Sequence, residues 1–113
     1  MALRFCDSFD HYVTEDIAKK WTVAGAGATI SATGARTGTC LNVFSTGPNV
    51  IKTLDAQTTW VVGFAFKIFS LAQVQILGFI DPAGQQCAVI VNADGTLSFR
   101  KYGIGGTLLA TSA

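Results

Sequence analysis

The single histidine of the chain, His11, lies beside Asp10 and three positions after Ser8. Serine, histidine and aspartate are the side chains that serve as nucleophile, base and orienting acid in hydrolases. Neighbours along an extended chain point to opposite sides, so Asp10 and His11 are not expected to converge on one hydroxyl, and a hydrogen-bonded structural histidine is the better reading. Asp7 and Asp10, with loop carbonyls, offer oxygens to a calcium ion, but calcium takes roughly six to eight such ligands and two carboxylates fall well short. Glycoside hydrolysis needs two carboxylates held across the substrate, and no predicted strand carries two acids on one face. Asp81 and Asp94 fall in predicted turns, where aspartate routinely bonds nearby backbone, and Asp55 is similar. Cys6, Cys40 and Cys87 form no close pair in sequence, and with one distant histidine they do not have the spacing of a zinc site. They read as reduced, mostly buried thiols, with one disulfide between two of them as the alternative. The stretch Gly25-Ala26-Gly27-Ala28 lacks the preceding apolar strand, following helix and spacing of a dinucleotide loop, and no Gly-Lys-Ser/Thr ending makes a P-loop. The reading is therefore of a protein that is not an enzyme, with no catalytic, cofactor-binding or metal-ligating residue assigned.

Aromatic side chains are the remaining candidates for ligand contact. Most fall at alternating strand positions and read as core. Trp21 and Tyr102 lie in less regular segments, and they are the two singled out as ligand contacts, although packing is the commoner role for such residues.

Composition narrows the function classes further. The chain has 113 residues, read as one domain, 1–113, with room for a single core. Charged residues make up 13% and hydrophobic residues 50%, against roughly 25% charged in an ordinary globular domain. So little charge leaves an apolar surface, which fits either a Ser/Thr/Gly-covered domain or one partly covered by other chains. The net charge is +1 and the basic residues are scattered, so no electrostatic footprint for nucleic acid is present. No apolar run is long enough to cross a bilayer as a helix, because Lys67 and Ser70 interrupt the longest one. The start, MALRFCDSFD, has acids where an export signal has its apolar core, so no export signal is expected.

The elements that would position these residues are strands. In TTWVVGFAFKI, residues 58–68, Trp60, Val62, Phe64, Phe66 and Ile68 alternate with Val61, Gly63, Ala65 and Lys67, which predicts a long central strand with a core face. Residues 2–6, 28–31, 40–44, 50–54, 74–80, 86–91, 96–101 and 107–111 read as further strands, about nine in all. Asp81-Pro82-Ala83-Gly84 and Asn92-Ala93-Asp94-Gly95 read as hairpin turns, and residues 45–49 as another turn. Thr14 is expected to cap a short helical turn through EDIAKKW, with Glu15 and Asp16 at its start, Lys19 and Lys20 at its end, and Ile17 and Trp21 pinning it to the sheet. Gly-rich residues 23–38 read as loops around the weak strand Ala28–Ser31. Turn signals at this spacing belong to an antiparallel all-β sandwich or barrel.

The opening FCDSFDHYV, the later KWT, the TTWVVGFAFKI segment and the hairpin VNADGTLSFRKYG followed by TLLATS together resemble the first part of a concanavalin-A-like, or laminin-G-like, jelly-roll domain of the type found in structural proteins of tailed bacteriophages. The resemblance implies an antiparallel β-sandwich, incomplete at this length, with exposed sheet edges. It further implies a non-enzymatic virion protein, a capsid decoration or tail accessory, assembled in the host cytoplasm and contacting other virion proteins and copies of itself. Edge exposure places the interface at the ends, with Ala2, Leu3, Arg4, Leu108 and Leu109 as its residues. A lectin-like module for host-surface glycans is the alternative, since the jelly-roll family includes many lectins.

Overall fold

A computed structural model of the chain describes residues 3–43 and 50–113. The expected turn at 45–49, together with Ala2 and Phe44, lies outside the described residues. The chain divides into two compact units, Met1–Phe64 and Ala65–Ala113.

The first unit is built from short paired strands around a helical turn. β1 (Val23–Ala24) pairs antiparallel with β4 (Val50–Ile51), and β2 (Ala28–Ser31) pairs antiparallel with β3 (Cys40–Val43), so one pair is nested in sequence inside the other. β1 was not foreseen among the glycines, whereas β2 matches its predicted bounds. A 3-10 turn at Thr14–Asp16 runs directly into α1 (Ile17–Lys20), with Glu15 and Asp16 in its first turn and Lys19 and Lys20 at its end. That charge order favours the helix dipole, and Lys19 also pairs with Asp16 at 2.6 Å. Thr14 is not the cap. Val13 holds that position, and the Thr14 hydroxyl instead accepts the backbone N–H of Ile30 at 2.9 Å, tying the helical turn to β2. Ile17 is fully buried beneath this turn.

Three strand expectations in this unit are corrected. Residues 3–6 are not a strand: the Phe5 ring packs edge-on against Trp21, with centroids 4.9 Å apart, and an ammonium group sits over it. The predicted strand 50–54 stops at Ile51: beyond it the Thr53 N–H goes to the Thr22 hydroxyl at 2.8 Å rather than to a backbone carbonyl, and the Lys52 ammonium reaches the Lys20 carbonyl at 2.6 Å. The long central strand at 58–68 is absent, and the middle of its proposed core face is exposed, at 47% for Val62, 50% for Phe64 and 48% for Phe66, with Trp60 and Ile68 half-buried. Alternation assigns the faces that a strand would have but does not by itself make a segment extend into a regular ladder; the junction between the two units falls inside this segment.

The second unit is a four-stranded antiparallel meander in the order β5-β6-β7-β8, with β5 at Val74–Asp81, β6 at Gly84–Val91, β7 at Leu97–Lys101 and β8 at Leu108–Thr111. Both predicted turns close hairpins here. Asp81 pairs with Gly84 across Pro82-Ala83, and Gly84 takes the positive φ of 117° that the tight return needs. Asp81 Oδ1 accepts the Ala83 N–H at 2.8 Å, and Asp94 Oδ1 accepts the Thr96 N–H at 2.9 Å, so both aspartates act as turn residues. Ala88, Ile90 and Ser98 are buried, and Ser98 lies directly across from Ile90. The Ser98 hydroxyl is satisfied by Asn92 Oδ1 at 3.2 Å.

The β7–β8 turn is closely packed. A β-carbon added at Gly106 would lie 1.7 Å from the Lys101 carbonyl oxygen, a backbone atom that cannot move without breaking the hairpin. Gly106→Ala is therefore expected to destabilise the protein by about 2 kcal/mol through overpacking. Urea denaturation followed by tryptophan fluorescence and circular dichroism measures this; an unchanged midpoint would show that the turn reopens at no cost.

Candidate functional site

The residues with chemical potential gather around the N-terminal loop. The Asp7 side chain is only 2% exposed, and an isolated buried carboxylate is costly unless donors surround it. Four do. Oδ1 accepts the Phe9 N–H at 3.0 Å and the Lys20 ammonium at 3.2 Å, while Oδ2 accepts the Trp21 indole N–H at 2.7 Å and the Tyr12 hydroxyl. Phe9 stacks on Trp21 with centroids 6.0 Å apart and planes 12° from parallel. Trp21 is thus committed to Asp7, Phe5 and Phe9, and it pins α1 to the N-terminal loop rather than to a sheet.

Burial pushes the Asp7 carboxyl upward, but the hydroxyl, backbone, indole and ammonium donors together outweigh it and leave the group below its usual value. Tyr12 moves the other way, pushed up to about 12 by burial and by donating to the Asp7 carboxylate.

Asp10 is used differently. Its Oδ1 accepts the Thr39 N–H at 2.7 Å, and the Thr39 hydroxyl donates to the Phe9 carbonyl. The same carboxylate occupies the space a side chain at residue 38 would need, since a β-carbon on Gly38 would sit 2.1 Å from it. His11 faces Ser8 Oγ at 3.4 Å and the Lys20 ammonium at 3.4 Å, not Asp10. Ser8, Asp10 and His11 therefore do not line up as a relay, and the four lone-pair directions of Asp7 are taken by hydrogen-bond donors rather than left for a cation. Among the described residues no group of three or more His, Cys, Asp or Glu is arranged to hold a metal ion.

Cys6, Cys40 and Cys87 are free thiols. The expectation that they are mostly buried is corrected: Cys6 is exposed and the other two are half-buried, because residues 3–6 form no strand that would turn Cys6 inward.

Tyr102, the second predicted contact residue, stands at the start of the β7–β8 turn and is 57% exposed. Of the predicted interface residues, Leu3 is exposed, Arg4 pairs with Asp55 at 3.1 Å, and Leu108 and Leu109 are exposed on β8. Sequence reasoning missed the Asp7 network. Its signal was an aspartate between Cys6 and Phe9 in a weakly charged chain, with Tyr12, Lys20 and Trp21 as the nearby donors.

Comparisons with protein families, with curated proteins and with solved structures find no match to this chain.

Asp7→Asn removes the charge on which four donors converge and is expected to cost about 3 kcal/mol in urea unfolding. The pH dependence follows from the two shifts. Asp7 is lowered in the folded state, so its contribution is present above the ordinary value of 3.8 and is lost as pH falls below it. Tyr12 is raised, so its contribution is present below 10.0 and is lost as pH climbs toward about 12. Thermal melts of the parent and Asp7→Asn across pH 2–7 check the acid limb: the parent loses Tm toward pH 2 and the variant loses distinctly less, whereas parallel curves would remove Asp7 as the cause.

Proposed function

We propose that this chain is a non-enzymatic structural protein of a tailed-bacteriophage virion, a capsid decoration or tail accessory with a concanavalin-A-like jelly-roll sandwich, working through contacts with other virion proteins and with copies of itself. The observation that carries this reading is β8. It ends the four-stranded sheet, all four of its residues are exposed, and Leu108 and Leu109 stand out at 51% and 54%. A terminal strand presents unpaired N–H and C=O groups, and natural sheets guard such edges with charge or proline. Leu108–Thr111 has neither. The low charge of the chain and the exposed Val61, Phe69 and Leu71 point the same way, toward surface that other protein covers.

β8 is also short, and its pairing with β7 is shifted between Phe99 and Arg100. One such edge supports only a weak contact. Repetition on a symmetric particle supplies the remainder as avidity, which favours a virion component over a free-standing dimer.

The test is the solution mass of the purified protein by light scattering over a concentration series, together with co-sedimentation with particles of the parent phage. Saturable binding at a fixed copy number is expected, reduced at least tenfold by a Leu108→Lys, Leu109→Lys double substitution that leaves the melt unchanged. A protein that stays monomeric and ignores the particles overturns the reading.

Glycan binding is the second reading, and one observation favours it. With Trp21 engaged by Asp7, Tyr102 remains as an aromatic ring displayed to solvent.

A further inference from the structure

Two bulky residues in the described chain adopt left-handed backbone, Phe9 and Tyr102, each with φ of 64°. This region costs an L-residue with a β-carbon, and glycine is its natural occupant. For Phe9 the cost is offset: its ring stacks on Trp21, and its N–H is one of the four donors to Asp7. Tyr102 keeps a backbone bond, its N–H donating to the Gln86 carbonyl, but its side chain gains no comparable packing. Its hydroxyl makes no hydrogen bond among the described residues, its ring is largely in solvent, and its ring partner is the neighbouring Lys101 ammonium, 4.7 Å from the centroid.

The backbone that carries the ring is tied down on both sides of the turn. Tyr102 N–H donates to the Gln86 carbonyl at 3.2 Å, Lys101 N–H to the Thr107 carbonyl at 2.9 Å and Gly106 N–H to the Gly103 carbonyl at 3.0 Å. Arg100 Nη1 reaches the Gly106 carbonyl at 3.2 Å. Gly103 is buried with φ of 94°, its missing side chain making room for Gln85. A hydrogen-bonded turn that carries an exposed tyrosine in left-handed backbone, where glycine would be easier, displays that ring.

Charge selects the partner. From Gly95 to Ala113 the chain has no aspartate or glutamate, and its charged residues are Arg100 and Lys101. The geometry points to Tyr102 and Lys101 as a contact point for an anionic saccharide, the ring receiving the apolar face of one sugar and the ammonium its carboxylate. A ring and one cation on a tight turn match a single sugar unit, whereas a specific protein interface buries on the order of 1,000 Å². This inference rests on the glycan reading and not on the assembly reading, so either can fail while the other stands.

The experiment is affinity electrophoresis of the whole chain in gels containing polygalacturonate, hyaluronate or neutral dextran, with melts run in parallel. Retardation by at least one acidic polymer and none by dextran is expected. Tyr102→Gly should weaken it about tenfold while Tm stays level or rises by up to about 5 °C. Tyr102→Phe should keep it, Lys101→Gln should weaken it, and Arg36→Gln, at an exposed arginine of the first unit, should not. No retardation by either acidic polymer overturns the inference, as does equal loss with Arg36→Gln, which shows general charge attraction. A Tm that falls in Tyr102→Gly overturns it too, because the ring would then be a packing residue.

Discussion

The first unit depends on one buried carboxylate. Asp7 gathers a backbone amide, a phenol, an ammonium and an indole from positions 9, 12, 20 and 21, and these fix how the N-terminal loop, the helical turn and Trp21 meet. An apolar residue of similar size would cost less to bury but would leave the Tyr12 hydroxyl without its acceptor and the Trp21 indole with only the Tyr12 oxygen, 3.3 Å away. The network also explains Phe9, whose unfavourable φ is the conformation that brings its N–H to Asp7 and its ring to Trp21. From this loop the order spreads outward: Asp10 and the Phe9 carbonyl hold Thr39 just before β3, and Thr14 holds Ile30 in β2.

The second unit is organised by local chemistry instead. Its strands follow one another through short turns, and each turn supplies its own bonds: Asp81 to Ala83 and Gln86, Asp94 to Thr96, and Asn92 to Thr96. The Asp94 carboxyl is held below its usual value by the Thr96 hydroxyl and N–H, the mark of a carboxylate acting as a turn acceptor rather than as an acid. Register is set from these turns inward, so Ile90 meets Ser98 and Ala88 meets Arg100.

This difference accounts for what could be read from the sequence. Hairpins are short-range objects, and Asp-Pro-Ala-Gly and Asn-Ala-Asp-Gly announce them within four residues; β5 to β8 were accordingly found nearly to their bounds. The pairing of β1 with β4 joins residues far apart in sequence through two-residue strands, and no local pattern marks it. The 58–68 segment failed in the opposite sense. Its alternation is the clearest in the chain, yet alternation reports the faces a strand would have and says nothing about a partner for its backbone. For the candidate site, the sequence showed that Trp21 and Tyr102 lie in irregular segments, but not that an aspartate fourteen residues from Trp21 takes its indole while Tyr102 is left in solvent.

Where the apolar residues end up bears on what kind of protein this is. Hydrophobic residues make up half the sequence, but among the described residues the buried ones are Ile17, Ala28, Ala88, Ile90 and Val91, two of them alanines. Asn42 in the first unit and Ser98 in the second are buried as well. Cores so small place more of the conformational specificity on satisfied polar groups, Asp7 foremost in the first unit, because an unsatisfied buried group is costlier than a missing methyl contact. It also leaves large side chains, among them Val61, Phe69, Leu71, Leu108 and Leu109, facing water. A chain with 13% charged residues has little charge to set against such a surface. This exposed apolar area is what the contacts proposed above would bury.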